Sequence, residues 1–310
     1  MSWMLLFPGQ GAQVVGMGGE LAAELPECRA LFEQASQVLG FDLLRLCTEG
    51  PLEELTRSGN TQPAIFVVSM AARLAWAQLA GSTVPVAGAA GLSSGEWAAL
   101  HEAGVVSFDD TVRILQARGH FMQAACEATP GGMLTIIGLP LAQVREVAAA
   151  SGLEIANLNS PVQTVLSGHA DRIAAGEAAA KAAGAKRALR LTVAGAFHSS
   201  LMQPAADQLA AVLQDIDFQA PRIPVWSNVT GHTHTTPDAI RRRMVEQVVS
   251  SVRWTDCFSN MVAAGMDRAV ECGPGAVLAG LGRRIEPAVK VLNIFDLAGA
   301  REVAKLVPEV

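Results

Sequence analysis

The stretch from Val86 to Leu100 constrains this chain most. A run of small and apolar residues leads into Gly91-Leu92-Ser93-Ser94-Gly95, and a helix-forming run, Glu96 to Leu100, follows at once. Strand, sharp Gly-x-Ser-x-Gly turn and helix is the layout of a nucleophile elbow. The two glycines permit a tight turn and close approach of neighbouring backbone. The turn would lift the Ser93 hydroxyl into the open at a helix N-terminus, where free N–H groups and the helix dipole favour developing negative charge. The same residues also suit an ordinary Gly/Ser turn, so the rest of the chain must decide.

Trp3 to Phe7 predicts a buried strand, broken by Pro8-Gly9-Gln10-Gly11. The Gly-rich loop lacks the Gly-Lys-[Ser/Thr] of a phosphate-binding loop, and Val14 stands where a dinucleotide fingerprint needs its third glycine. It is better suited to presenting a backbone N–H beside another strand end. A helix opening at Pro26 carries Cys28, Leu31, Phe32, Ala35, Val38 and Leu39 on one face, and another is expected from Pro63 to about Leu79. Ser107-x-x-Asp110 resembles a capping box and opens a helix from about Phe108 to Cys126. Arg118 lies beside that helix's apolar stripe of Val112, Leu115 and Met122. A guanidinium facing an interior needs an anion; at the stripe edge it could equally snorkel to water.

Strands over Gly132–Leu139, Leu153–Asn157, Val162–Gly168 and Lys186–Val193, with helices over Pro140–Ala150 and Asp171–Ala183, give the order β-α-β-β-α-β of a ferredoxin-like unit. It reads as an inserted small subdomain, 127–194, within a large subdomain made of 1–126 and 195–310. His198 sits just before a helix running to about Leu213, with Ser199 or Ser200 as cap. A helix N-terminus would help keep that imidazole neutral, as a general base requires, although a structural histidine fits the same local sequence. His232-x-His234 lies in a polar loop with no third ligand nearby, so a metal is not expected there. Further strands (Pro224–Asn228, Arg268–Glu271, Val289–Ile294) alternate with helices (Ala239–Val249, Trp254–Ala264, and one ending near Arg284), as in an open α/β sheet. The expected fold class is α/β: an α/β-hydrolase-like core with a parallel sheet, plus the ferredoxin-like insertion.

Half of the 310 residues are hydrophobic and 17% are charged, so a sizeable core is expected. The net charge of −6 argues against general nucleic-acid binding. No apolar run reaches the ~18 residues of a membrane span, and Met1 to Phe7 lacks the basic start of a signal peptide. Five scattered cysteines without metal spacing read as free thiols of a cytoplasmic protein.

Several stretches taken together resemble the malonyl-CoA:acyl carrier protein transacylases of fatty-acid and polyketide synthesis. They are Phe7-Pro8-Gly9-Gln10-Gly11-Ala12-Gln13, Gly91-x-Ser93-x-Gly95-Glu96, Arg118-Gly119-x-x-Met122-Gln123, Asn157-x-Asn159-Ser160-Pro161, Gly195-Ala196-Phe197-His198-Ser199, Gln247 ahead of Val252-Arg253-Trp254, and Glu271-x-Gly273-Pro274-Gly275. They occur in the family's order over nearly the whole chain. The resemblance implies that Ser93 is the nucleophile and His198 its base, in a dyad whose second imidazole nitrogen meets a main-chain carbonyl in the Gln247–Ser250 region. It implies an oxyanion hole from the backbone N–H groups of Gln10 and Ser94, and Arg118 gripping the malonyl carboxylate. Met122, Asn159, Phe197 and Gln247 would complete the substrate site, with Phe197 beside the histidine matching malonyl rather than methylmalonyl. The implied partners are malonyl-CoA and an acyl carrier protein, with no metal or cofactor, no nucleic acid and no membrane. Leu92 and Ser94 depart from the usual His and Leu around the nucleophile, Ser251 from a common Pro and Ala276 from a common Lys. Related malonyl-loading subunits of malonate decarboxylases also lack the histidine, so they and the trans-acting acyltransferases of polyketide synthesis are alternatives. A serine thioesterase or hydrolase, or a non-catalytic carrier-protein docking subunit, are alternatives of other classes.

Overall fold

A computed structural model describes residues 3–81 and 84–307. The ends of the expected large subdomain, 1–2 and 308–310, therefore lie outside the described residues, as does the start of the stretch tested for a leader. The chain is a mixed α/β protein with one parallel and one antiparallel sheet. The strands β1 (Trp3–Phe7) and β2 (Val86–Gly91) open the parallel sheet. Then β3 (Gly131–Ile137), β4 (Glu154–Ser160), β5 (Gln163–His169) and β6 (Arg187–Arg190) form the antiparallel sheet, in the order β4-β5-β3-β6. The chain returns to the first sheet with β7 (Val225–Trp226), β8 (Arg268–Cys272) and β9 (Lys290–Ile294), giving the order β7-β2-β1-β8-β9.

Side-chain alternation along β1 explains the layers. Trp3, Leu5 and Phe7 point into one apolar cluster; Met4 and Leu6 point into another on the opposite face. The first cluster includes the helices Ser58–Ala80 and Phe108–Ala128, the second Trp254–Ala263 and Val277–Ile285. Both faces of the strand are covered, so all five of its residues are buried and it reads as an unbroken apolar run. The antiparallel sheet has its own cluster, including Leu134, Ile136, Val144, Leu166 and Ile173. The opposite faces of its strands turn Met133, Ala156 and Val165 into the first cluster, which ties the inserted segment to the parallel sheet.

Several expectations need correction. The helix placed at Pro63 runs Ser58–Ala80, with the proline inside it. Pro63 removes one hydrogen bond in the second turn, but the first turn is pressed against Gly119, where a Cβ would collide with the Ser58 carbonyl. Tertiary contact outweighs the local signal. By length and composition this helix is long and apolar enough to cross a bilayer, yet 67% of its most apolar window is buried inside the protein. β6 stops at Arg190, short of the expected Val193, because its ladder with β3 ends there apart from one bond from Leu191 N to Met133 O. Helices over Gly19–Glu24, Leu43–Glu49, Leu52–Thr56 and Leu297–Ala304 were not anticipated. The helix expected over Ala239–Val249 is Pro237–Glu246, and in the looser turns that follow the Gln247 carbonyl accepts, among the described residues, only a long backbone bond, from Ser250 N–H at 3.4 Å.

Candidate active site

Three glycines let the elbow form. A Cβ on Gly95 would collide with the Phe7 carbonyl, one on Gly91 with the Gly95 carbonyl, and one on Gly9 with the Leu92 carbonyl. The elbow therefore sits flush against the end of β1, joined by Leu92 N–H donating to Phe7 O at 3.0 Å. Ser93 has φ 55°, left-handed backbone in a residue with a Cβ, which costs roughly 1–2 kcal/mol. Its N–H is held by Asn228 Oδ1 at 2.7 Å. His198 is the other non-glycine residue among those described with positive φ, 58°. Such strain persists only where the surroundings fix it, and it concentrates at functional sites.

Ser93 Oγ lies 2.7 Å from His198 Nε2, and His198 Nδ1 lies 2.9 Å from the Gln247 carbonyl. A carbonyl only accepts, so Nδ1 carries the proton; in the neutral ring Nε2 then accepts from the Ser93 hydroxyl. Burial lowers the His198 pKa from 6.5 to about 4, with the Arg118 charge adding to the effect and the Gln247 and Ser250 carbonyls opposing it. Burial and Arg118, not the helix end expected from sequence, keep this imidazole neutral. That end is a 3-10 turn, Ser200–Met202, and neither serine caps it by its side chain. Ser199 Oγ turns back to Ala196 O, while the Ser200 N–H donates to the Glu154 carboxylate.

Arg118 points inward and is 1% exposed. The snorkelling alternative does not apply, because two carboxamide oxygens from distant elements meet the guanidinium. Nη1 donates to Gln62 Oε1 at 2.7 Å and Nη2 to Gln247 Oε1 at 3.0 Å; Nη2 also approaches Ser93 Oγ at 3.3 Å. Burial brings the Arg118 pKa down to about 10, with Glu96 opposing the shift, so the group is charged at neutral pH.

These residues open onto a cavity of about 530 Å³ between the two sheets, a volume suited to a small-molecule ligand. Gln10, Ser93, Arg118, Met122, Asn159, Phe197 and His198 line it. Gln247 does not: it is fully buried beneath Arg118 and His198, so its contact with a ligand, expected from the resemblance, is replaced by support of both side chains. Ser94 is buried too, and neither its N–H nor that of Gln10 donates to a protein carbonyl among the described residues. Leu92 lines the cavity and packs against the apolar cluster on the Met4/Leu6 face of the parallel sheet.

Gln62, Asn228, Glu96 and His234 were assigned no role from sequence. Glu96 and His234 form a buried pair at 2.7 Å. Glu96 lay inside a matched motif, but nothing local indicated that its partner is 138 residues away.

The family described as "Acyl transferase domain" matches residues 4–300. The malonyl CoA-acyl carrier protein transacylase of Escherichia coli (strain K12) is 45% identical over 284 residues, 90% of this chain and 91% of that one. Among solved structures, an acyl carrier protein S-malonyltransferase from Vibrio cholerae O1 biovar eltor is 40% identical with a TM-score of 0.93, covering 98% of this chain and 100% of the other. A malonyl-transacylase in complex with a type II PKS acyl-carrier protein is 39% identical with a TM-score of 0.92, covering 99% and 100%.

Proposed function

We propose, from the premise that this chain belongs to the acyl transferase domain family, that it moves a malonyl group from malonyl-CoA to the pantetheine thiol of an acyl carrier protein in fatty-acid synthesis. The observation that carries this is the guanidinium of Arg118 lying 3.3 Å from the same Ser93 oxygen that meets His198 at 2.7 Å. A buried cation fixed beside a nucleophile at the wall of a cavity selects an acyl group with a free carboxylate.

Ser93 Oγ attacks the thioester carbonyl and its proton passes to His198 Nε2. The tetrahedral oxyanion takes the N–H groups of Gln10 and Ser94, a contribution of about 3–4 kcal/mol per donor in comparable sites. The C–S bond breaks, and the thiolate of CoA recovers the proton from His198. The carrier protein's thiol then runs the same steps in reverse against the acyl-serine ester, in a ping-pong cycle. All groups used belong to the protein, and no cofactor is invoked. An acetyl group would leave the buried Arg118 without its anion, a larger cost than a missing contact. Phe197 lines the cavity beside His198, and a phenylalanine at that place matches the family members that take malonyl rather than methylmalonyl.

The chain order β-α-β-β-α-β with sheet order β4-β5-β3-β6 supports a ferredoxin-like small subdomain, 127–194, which has its own apolar cluster. The parallel sheet with its elbow after β2 supports an α/β-hydrolase-like large subdomain, 1–126 and 195–310. The five cysteines are free and buried, which suits the reducing cytoplasm.

Intact-protein mass spectrometry tests this assignment. Malonyl-CoA is expected to leave one malonyl adduct, acetyl-CoA little, and carrier protein should remove the adduct. Loss to water at the same rate would mean a hydrolase, and no adduct at all a docking subunit. The acylation rate should hold from pH 7 down to about 5 and fall with a midpoint near 4; a midpoint at 6.5 would contradict a buried base. Because His198 is lowered on folding, the unfolded chain binds more protons between those values. The histidine's contribution to stability is therefore complete above pH 6.5 and lost as pH falls toward 4.

An acidic carrier protein would be steered by basic residues at the cavity mouth. Arg190 is paired with Glu177 at 2.7 Å, which also binds Lys181. Among the described residues, exposed Arg283 and Arg284 have no such carboxylate partner; Arg284 donates to Gln163, a cavity-lining residue, at 3.2 Å. Reversing Arg283 and Arg284 to Glu should raise the KM for carrier protein about tenfold and leave that for malonyl-CoA unchanged. Equal KM values for carrier protein would rule out this patch.

A further inference from the structure

Glu96 is a fully buried carboxylate that the transfer chemistry above does not use. It accepts from His234 Nε2 at 2.7 Å, from Gln247 Nε2 at 2.6 Å and from the Asn228 N–H at 3.2 Å. His234 reaches it from the loop after β7, anchored by its own N–H on Val225 O at 2.8 Å. The side chains of Glu96 and His234 are each 1% exposed.

A glutamine carboxamide has two orientations of nearly equal shape, and its hydrogen-bond partners choose between them. Glu96 can only accept, so the Gln247 nitrogen must face it. That nitrogen also donates to Ser93 O at 3.0 Å, which leaves Gln247 Oε1 turned to Arg118 at 3.0 Å. The flipped amide would set an NH2 group against a guanidinium, donor against donor. Gln62 Oε1 holds the other terminal nitrogen of Arg118. Arg118 Nε is buried with no acceptor among the described residues, although Arg118 lines the cavity. Nε and the Nη2 hydrogen now resting on Ser93 Oγ thus form a free edge for a carboxylate.

We infer that Glu96, pinned by His234, is a positioning residue for acyl-group selection: it fixes the Gln247 carboxamide, which fixes the Arg118 edge that receives the substrate carboxylate. The inference rests on the proposed role of Arg118 in holding malonyl. The pair lies behind the reacting atoms and reaches the Arg118 edge through the Gln247 carboxamide; Glu96 also accepts from the Asn228 N–H, and the Asn228 side chain holds the Ser93 N–H. A purely structural pair would hold the β7 loop against the elbow helix, and its loss would weaken transfer of every acyl group alike.

The test compares Glu96→Gln, His234→Leu and the donor-retaining His234→Gln by the rate at which malonyl-CoA and acetyl-CoA acylate each protein. Glu96→Gln and His234→Leu should raise the KM for malonyl-CoA and lower the malonyl-to-acetyl ratio about tenfold. His234→Gln should keep the ratio within about twofold of the parent. An unchanged ratio in Glu96→Gln, or a parallel fall for both acyl groups, overturns the inference. If His234→Leu does not fold, the isosteric Glu96→Gln decides alone. An unsubstituted protein that does not prefer malonyl would overturn the Arg118 assignment itself, and this inference with it.

Discussion

Ser93→Ala is expected to abolish the malonyl adduct and to lower transfer on the order of 10⁶-fold, the scale seen when the nucleophile of an acyl-transfer site is removed. Labelled malonyl still covalently attached to the variant would exclude Ser93 as the nucleophile. The loss should not come from unfolding, because alanine keeps the Cβ and so keeps the strain at φ 55°. Ser93→Gly separates the two properties further. Glycine adopts that backbone freely, so this variant should be inactive yet more stable than Ser93→Ala by about 1 kcal/mol in denaturant unfolding. Equal stabilities would mean that the elbow holds no strain.

Arg118→Ala should lower malonyl transfer about 100-fold, which corresponds to about 3 kcal/mol for one charge-assisted pair, and raise acetyl transfer relative to it. Arg118→Lys should recover little of the selectivity, since an ammonium cannot replace a planar fork held by two carboxamides. A second signature follows from electrostatics. Arg118 is one of the causes that lower His198 to about 4. Removing the positive charge favours the imidazolium, so the acid limb of acetyl transfer should move up from about 4 toward 6.5. An unchanged acyl preference would make Arg118 structural, while an unmoved acid limb would mean that burial alone sets the base.

The turn at Ser93 was legible because its signals are local. Gly91-x-Ser93-x-Gly95 carries its turn chemistry in adjacent residues, and the closeness of Gly9 to Leu92 follows from the same need for bare backbone. The inserted segment was legible for a related reason, since alternation and helical period are written residue by residue, and its strands and helices fell within a few residues of expectation. Arg118 marks where this kind of signal ends. Its place beside an apolar stripe allowed either an interior partner or water. The choice was made by Gln62 and Gln247, which lie 56 and 129 residues away. Pro63 shows the opposite failure: a clear local signal was overridden by the packing of Gly119 on the preceding turn.

Contiguous residues thus determined the elbow, the order of strands and helices, and, through the matched motifs, the kind of chemistry. Tertiary structure alone decided which tautomer His198 holds, that Gln247 supports the site from below, and that Glu96 and His234 stand behind it. Backbone turn preferences and periodicity act over a few residues. A buried hydrogen bond depends on where strand ends separated by more than a hundred residues are brought together, and that position is set by sheet order and packing.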